Sequence, residues 1–347
     1  MCDATSAGAA EVHRIRPREC AGTAVDPIRL EPVDEVRITV LMDNSFDALL
    51  PESPVVRRAA VTTGPVPVPS FEEVESPVGL RAEHGFSALV AVRRGGHEST
   101  VLFDAGISPD GVVCNADRLE ADLGGVQAVV LSHGHHDHTG GLLGVLERRR
   151  GDLPVLLHPE AWTPRRLEGL VDLPRLSRRA LEREGVAIVE RRDPSLLVEG
   201  MILVTGEVDR TTEYERGMPA AHQRWTGEAW THDPQVVDDQ ALVVHLRGRG
   251  LVVLTGCGHA GAVNILRHAR RLTAVDDVHA LIGGLHLSGP AFEPVIAPTV
   301  AELVRLRPDV LLPAHCTGWR ANHALAAALP DAWIPSSSGS TCVLRAA

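Results

Sequence analysis

Ser132-His133-Gly134-His135-His136-Asp137-His138-Thr139-Gly140-Gly141 decides how this chain is read, because it sets three imidazoles and a carboxylate in the spacing H-x-H-x-D-H. The apolar run Ala128-Val129-Val130-Leu131 precedes it, and Leu142-Leu143-Gly144-Val145-Leu146 follows the glycine pair, so the segment reads as a strand end turning into a helix. Side chains two apart on an extended stretch project to the same side, which lets His133 and His135 grip one ion. The bend that follows turns Asp137 and His138 toward a second ion beside the first. A mixed imidazole and carboxylate set suits Zn, Mn or Fe, and the spacing leaves open one divalent ion or two. A solvated histidine-rich turn is the competing reading, and the strand-then-helix setting argues against it.

Composition narrows the function classes. The net charge of −11 argues against a broad nucleic-acid surface, which needs a basic field. All 34 basic residues are arginine, so Schiff-base chemistry on lysine is excluded and guanidinium forks are the fixed cations available for an anionic substrate. The sequence has no Walker-type phosphate loop and no Gly-x-Ser-x-Gly. No apolar run reaches the roughly 18 residues of a membrane span, and no signal-peptide pattern opens the chain, so a cytoplasmic protein without membrane contact is expected. Six scattered cysteines without C-x-x-C pairing fit reduced thiols. Oligomeric state is not legible.

With 347 residues and 44% hydrophobic content the chain is long enough for a sizeable core. Residues 1–35 lack periodicity and read as a mobile N-terminal arm, and 36–347 as one catalytic domain. Val36 to Met42 reads as a strand ending at Asp43-Asn44, and the proline-rich stretch 51–79 as a loop or flap. Ala88 to Val92 and Thr100 to Phe103 read as paired strands across Gly95-Gly96, delivering Asp104 to a strand end. Residues 160–195 read as one or two amphipathic helices before a strand at Val186 to Val189. Ala241 to Leu246 and Leu251 to Leu254 read as a strand pair leading into Gly256-Cys257-Gly258-His259, with a helix from Ala260 to Leu272. Val278 to Leu281 and Val310 to Leu312 are buried strands that end near His286 and His315. His286 is open between metal ligand, proton donor, substrate contact and core histidine. Asp239, beside Asp238, suits a hydrogen-bonding role near the metal. Thr317 and Gly318 open the last helix, Trp319 to Leu329, where an N-terminus favours a phosphate. His222, in a loop between Tyr214 and Trp225, is open between a further ligand and a lid residue and is left unassigned.

The run Leu131 to Gly141 resembles the signature of the metallo-β-lactamase fold superfamily. Val40-Leu41-Met42-Asp43-Asn44, Glu83-His84-Gly85-Phe86-Ser87, Leu102-Phe103-Asp104-Ala105-Gly106, Thr255 to Gly261, Gly283-Gly284-Leu285-His286-Leu287 and Pro313-Ala314-His315-Cys316-Thr317-Gly318 follow in the expected order. Together they resemble the branch related to the archaeal dihydropterin–aminobenzene ribofuranosyl phosphate synthase of methanopterin biosynthesis, over about residues 36 to 345. The resemblance implies an αββα sandwich of two mixed sheets flanked by helices. It implies metal ligation by His133, His135, Asp137, His138, His259 and His315, with Asp104 orienting a ligand histidine and Asn44 binding substrate. Typical members place Pro-Gly-His where this chain has Val204-Thr205-Gly206-Glu207. Glu207 is therefore open between ligand and substrate contact, and His259 is the replacement for the missing imidazole. Cys257 falls where a bridging aspartate is usual, and is open between a zinc-favouring thiolate and a packing residue.

The resulting expectation is a metal-dependent hydrolase in which one or two ions activate water, with Asp137 and His286 as catalytic groups, acting on a phosphorylated or pterin-like small molecule. A pterin-transferring synthase is the alternative within the same branch, and a non-catalytic metal or redox sensor the alternative from another class.

Overall fold

The computed structural model describes residues 26–59 and 65–347, together with the backbone of residues 13 and 14. Two large sheets face each other. The first runs in the order Ile188–Glu190, Val155–Leu157, Val129–Val130, His97–Phe103, Ser87–Arg94, Glu35–Met42, Thr341–Arg345, Val56–Arg57. The second runs His13–Arg14, Ser195–Leu197, Ile202–Val204, Leu242–Leu246, Gly250–Thr255, Val278–Gly284, Val310–Ala314.

Period-two alternation explains the layering. Val36, Ile38 and Val40 of the first sheet meet Val244, Val252, Leu254 and Ile282 of the second in one buried layer. The alternate residues point outward: Val243, Val253 and Leu281 pack under the helices Ala262–Thr273, Glu293–Leu306 and Trp319–Ala328. Leu89, Leu102 and Val129 pack under Gly111–Arg118 and Leu142–Glu147. Each fully buried aliphatic side chain contributes about 1.5–3 kcal/mol, and the result is the expected αββα sandwich.

Parallel pairing aligns the functional strand ends. Thr255 pairs with Gly283, and Gly284 with Ala314, so the segments carrying Cys257, His286 and His315 leave the second sheet side by side. On the first sheet, Phe103 pairs with Val130, which sets Asp104 beside Ser132 and His133. The Gly95-Gly96 hairpin forms as expected, with Arg94 opposite His97.

Three expectations are corrected. Residues 26–34 are not a mobile arm: Ile28, Leu30 and Val33 are buried and the Ile28 N–H donates to the Leu272 carbonyl at 2.7 Å. The arm expectation otherwise falls on residues 1–25, which apart from the backbone at 13 and 14 lie outside the described residues, as do residues 60–64 of the flap. The stretch 160–195 holds one short α-helix, Arg178–Arg183, while Arg165–Leu167 and Val171–Asp172 join His222–Trp225 and Trp230–His232 in a separate four-stranded sheet. Pro164 and Pro174 bracket the first two strands and preclude a continuous helix across them. The last helix-opening expectation also shifts: the helix after His259 begins at Ala262, leaving His259 in the preceding turn. Among the described residues no helix is long and apolar enough to cross a membrane.

Candidate metal centre

Three imidazoles converge first. His133 Nε2 lies 3.0 Å from His135 Nδ1 and 3.2 Å from His259 Nε2. Burial foremost, and then neighbouring charge, holds all three well below the ordinary histidine pKa, so their lone pairs are available at neutral pH. Nitrogens around a tetrahedral zinc, bound at 2.0–2.1 Å, stand about 3.3 Å apart. The three nitrogens fit that geometry, with His259 as the third donor of the group.

A second set lies beside it. Asp137, His138, Cys257 and His315 each offer a ligand atom, all within 4.8 Å of one another. His138 Nε2 is 3.2 Å from Cys257 Sγ, and Asp137 Oδ2 is 3.3 Å from His315 Nε2, a buried nitrogen without a hydrogen-bond partner. Burial opposes charge on Asp137, but His138 and His315 outweigh it and hold the carboxyl well below its usual range. An anionic carboxylate, a thiol and two imidazoles, one of them with an orphaned nitrogen, suit a divalent zinc-like ion. The spacing therefore brings together all six expected ligands and Cys257.

The surrounding contacts fix ring orientation. Asp104 Oδ2 is 2.7 Å from His138 Nδ1, and the carboxylate accepts from the Ser132 N–H and hydroxyl, each at 2.7 Å. Asp104 holds φ 61°, a strained conformation for a residue with a side chain. Gly256 makes room for this arrangement, since a Cβ there would stand 2.6 Å from Asp104 Oδ2. Asp239 accepts from the Ala260 N–H at 2.9 Å, which braces the turn carrying His259, and burial pushes its carboxyl up to about 6. Arg165, almost wholly buried, pairs with Asp233 and Asp238, and Asp238 accepts from the Gly134 N–H at 2.8 Å between the two leading histidines.

Several expected roles are not supported by position. Glu207 stands apart from both donor sets: it pairs with His158 Nε2 at 3.0 Å and Arg192 at 2.8 Å. Glu207 belongs to neither of the two donor groups. Asn44 engages His315, its Oδ1 2.9 Å from His315 Nδ1, which leaves His315 Nε2 free for the centre. Thr317 is buried and donates to the Ala314 carbonyl at 2.7 Å while accepting from the Leu285 N–H, so it ties two strand ends together. Gly318 packs against Ser288 at the start of the last helix.

Position also gives three further histidines their contacts. His222, buried, sets its Nε2 3.1 Å from His135 Nε2 and its Nδ1 3.1 Å from the Asp233 carbonyl. It lies 87 residues from His135 on the small sheet, beyond the reach of any local spacing signal. His84, part of a recognised motif, places Nε2 3.7 Å from Asp137 Oδ2 at the exposed rim. His286 adopts φ 46°, and its ring centroid lies 4.2 Å from that of His259. It lines a cavity of about 480 Å³ together with His259, Tyr214, Arg216, Leu285 and Phe292. That volume suits a small organic ligand.

The layered sandwich and the paired donor sets at its strand ends define a metallo-β-lactamase-type protein. The profile of the metallo-β-lactamase superfamily matches residues 81–271, over half of the chain, and the chain belongs to that superfamily. Within it, the chain is similar to the 7,8-dihydropterin-6-methyl-4-(β-D-ribofuranosyl)-aminobenzene-5'-phosphate synthase of Methanocaldococcus jannaschii, at 26% identity over 249 residues, 70% of this chain and 83% of that protein. An uncharacterized protein of the same archaeon is 28% identical over 244 residues, 69% of this chain and 86% of its own. A crystal structure described as a metal-dependent hydrolase of the β-lactamase superfamily superposes with a TM-score of 0.66 at 25% identity, covering 89% of this chain and 99% of that one.

Proposed function

We propose that this protein is a dinuclear metal enzyme that hydrolyses a phosphorylated, pterin-like small molecule. The observation that carries the reading is the adjacency of the two donor sets, His133/His135/His259 and Asp137/His138/Cys257/His315, next to a cavity that shares His259. When bound there, divalent ions lower the pKa of water and polarise a phosphoryl oxygen. The chain's own residues supply the rest. Phe292 and Leu285 offer apolar surface to a heterocycle, and Arg216 on the same wall offers a guanidinium to an anionic group. Asp137 Oδ2 accepts a hydrogen bond from the attacking water. His286, which lines the cavity, gives a proton to the leaving-group oxygen.

The likeness to the archaeal synthase favours a second reading, in which an arylamine replaces water as nucleophile and the product is a pterin conjugate. The test is to load purified protein with Zn(II) or Mn(II) and supply an activated dihydropterin-6-methyl ester with and without a ribofuranosylaminobenzene phosphate. Hydrolysed pterin in both reactions supports the first reading, and conjugate formed only with the arylamine supports the second. Metal-loaded protein that turns over neither substrate nor a panel of phosphoesters would overturn both in favour of a sensor.

A further inference from the structure

Cys316 belongs to neither donor set described above, yet it completes a third. The sulfurs of Cys257 and Cys316 and a ring nitrogen of His286 all lie within 4.8 Å of one another. Both cysteines are buried, and His286 is half-buried at the wall of the cavity. The three follow the ends of three neighbouring parallel strands, so sheet register, and not a loose loop, brings them together. Gly284 keeps the space open, since a Cβ there would stand 2.8 Å from Cys316 Sγ. The Cys316 thiol donates to the Cys257 carbonyl at 3.3 Å, while His286 Nδ1 is buried with no partner.

The chemistry of this set differs from that of its neighbours. It holds no carboxylate, and two sulfurs with one imidazole form a soft donor set. Cys257 is shared, and that sharing has a geometric consequence. With Cys257, the second set has four protein donors, enough to saturate a tetrahedral ion; without it, Asp137, His138 and His315 are the three donors that leave a position open for water.

We propose that Cys257, Cys316 and His286 form a separate site for a soft, thiophilic cation of the Cu(I) type, and that filling it withdraws Cys257 from the second donor set. Binding displaces the two thiol protons and joins both sulfurs and the imidazole to the cation. The binding itself does not depend on the proposed hydrolysis; only the consequence for the second set rests on that reading.

The test is an anaerobic titration of zinc-loaded protein with Cu(I) supplied as its bicinchoninate complex, with Cys2, Cys20 and Cys114 replaced by serine. The expected result is one Cu(I) per chain, with zinc in the His133 set retained and sulfur-to-copper charge transfer in the near ultraviolet. Cys316→Ser and, separately, His286→Gln are each expected to weaken Cu(I) binding at least tenfold, with zinc retained at the His133 set as the control for folding. No Cu(I) retained against the chelator, Cu(I) taken up only by expelling zinc from the His133 set, or Cu(I) affinity in either variant unchanged from that of the parent protein would overturn the proposal. Failure of zinc to bind the His133 set while Cu(I) still binds would instead count against the dinuclear reading and leave this site standing.

Discussion

His222 Nε2 lies 3.1 Å from His135 Nε2, and this contact assigns the protons of both rings. His135 faces the metal centre through Nδ1, so its proton sits on Nε2 and is donated to His222 Nε2. The proton of His222 then sits on Nδ1 and goes to the Asp233 carbonyl at 3.1 Å. His222→Ala is expected to weaken zinc binding at the His133 set by about 10–100-fold, the usual effect of losing a partner behind a ligand histidine. His222→Gln, whose carbonyl oxygen can accept the same hydrogen bond, is expected to recover part of that loss. Chelator competition measures both, and unchanged affinity in the alanine variant would remove His222 from the centre.

Asp104 makes the metal-free protein sensitive to alkaline pH. Burial opposes charge on His138, but Asp104 and Asp137 outweigh it and raise the imidazole from 6.5 to about 9. Because the folded value is raised, the stabilisation is fully present below pH 6.5 and is lost as pH climbs through about 9. The effect is on the order of 3 kcal/mol. Urea midpoints measured in chelator should fall between these two pH values for the native chain, and should fall much less for Asp104→Asn. Equal pH dependence in the two would show that the pair does not govern it.

Cys257→Ser separates the two donor sets. The expected metal content drops from two ions toward one, because a neutral hydroxyl replaces a thiolate in the second set only. The His133 set, which holds no sulfur, keeps its ion. Elemental analysis after gel filtration reads the outcome, and two tightly held zincs in the variant would make Cys257 a packing residue.

Glu207→Gln should leave metal content unchanged and activity within about twofold. Its carboxylate is half-exposed and paired with Arg192 and His158, so the lost interaction is worth about 0–1 kcal/mol in stability. A loss of zinc in this variant would restore Glu207 as a ligand.

What was legible in the sequence follows from where the information lay. His133, His135, Asp137 and His138 share one short segment, so strand and helix periodicity alone brings them to one place. His259 and His315 were reachable because each ends an apolar strand in a recognisable motif. Glu207 stands at the position where the resemblance expects an imidazole, so sequence alone leaves its role open, while the fold brings His259 from the second sheet to His133. His222 has no spacing signal shared with His135, since its strand is positioned by pairing with Arg165–Leu167, far from it in sequence. The charged stretch before it looked helical by its leucine and arginine content, and Pro164 and Pro174 were the available warning.

The ligands come from both faces of the sandwich: His133, His135, Asp137 and His138 follow a strand of the first sheet, and Cys257, His259 and His315 follow strands of the second. His133 and His259 are 126 residues apart, so an unfolded chain offers an ion no comparable grip. Metal binding is thereby coupled to the seam between the sheets, and every increment of free metal above the dissociation constant favours the folded chain. If the ions bind as proposed, the seam between the sheets is where metal-free copies would open first, and proteolysis would fall more heavily on them than on loaded ones.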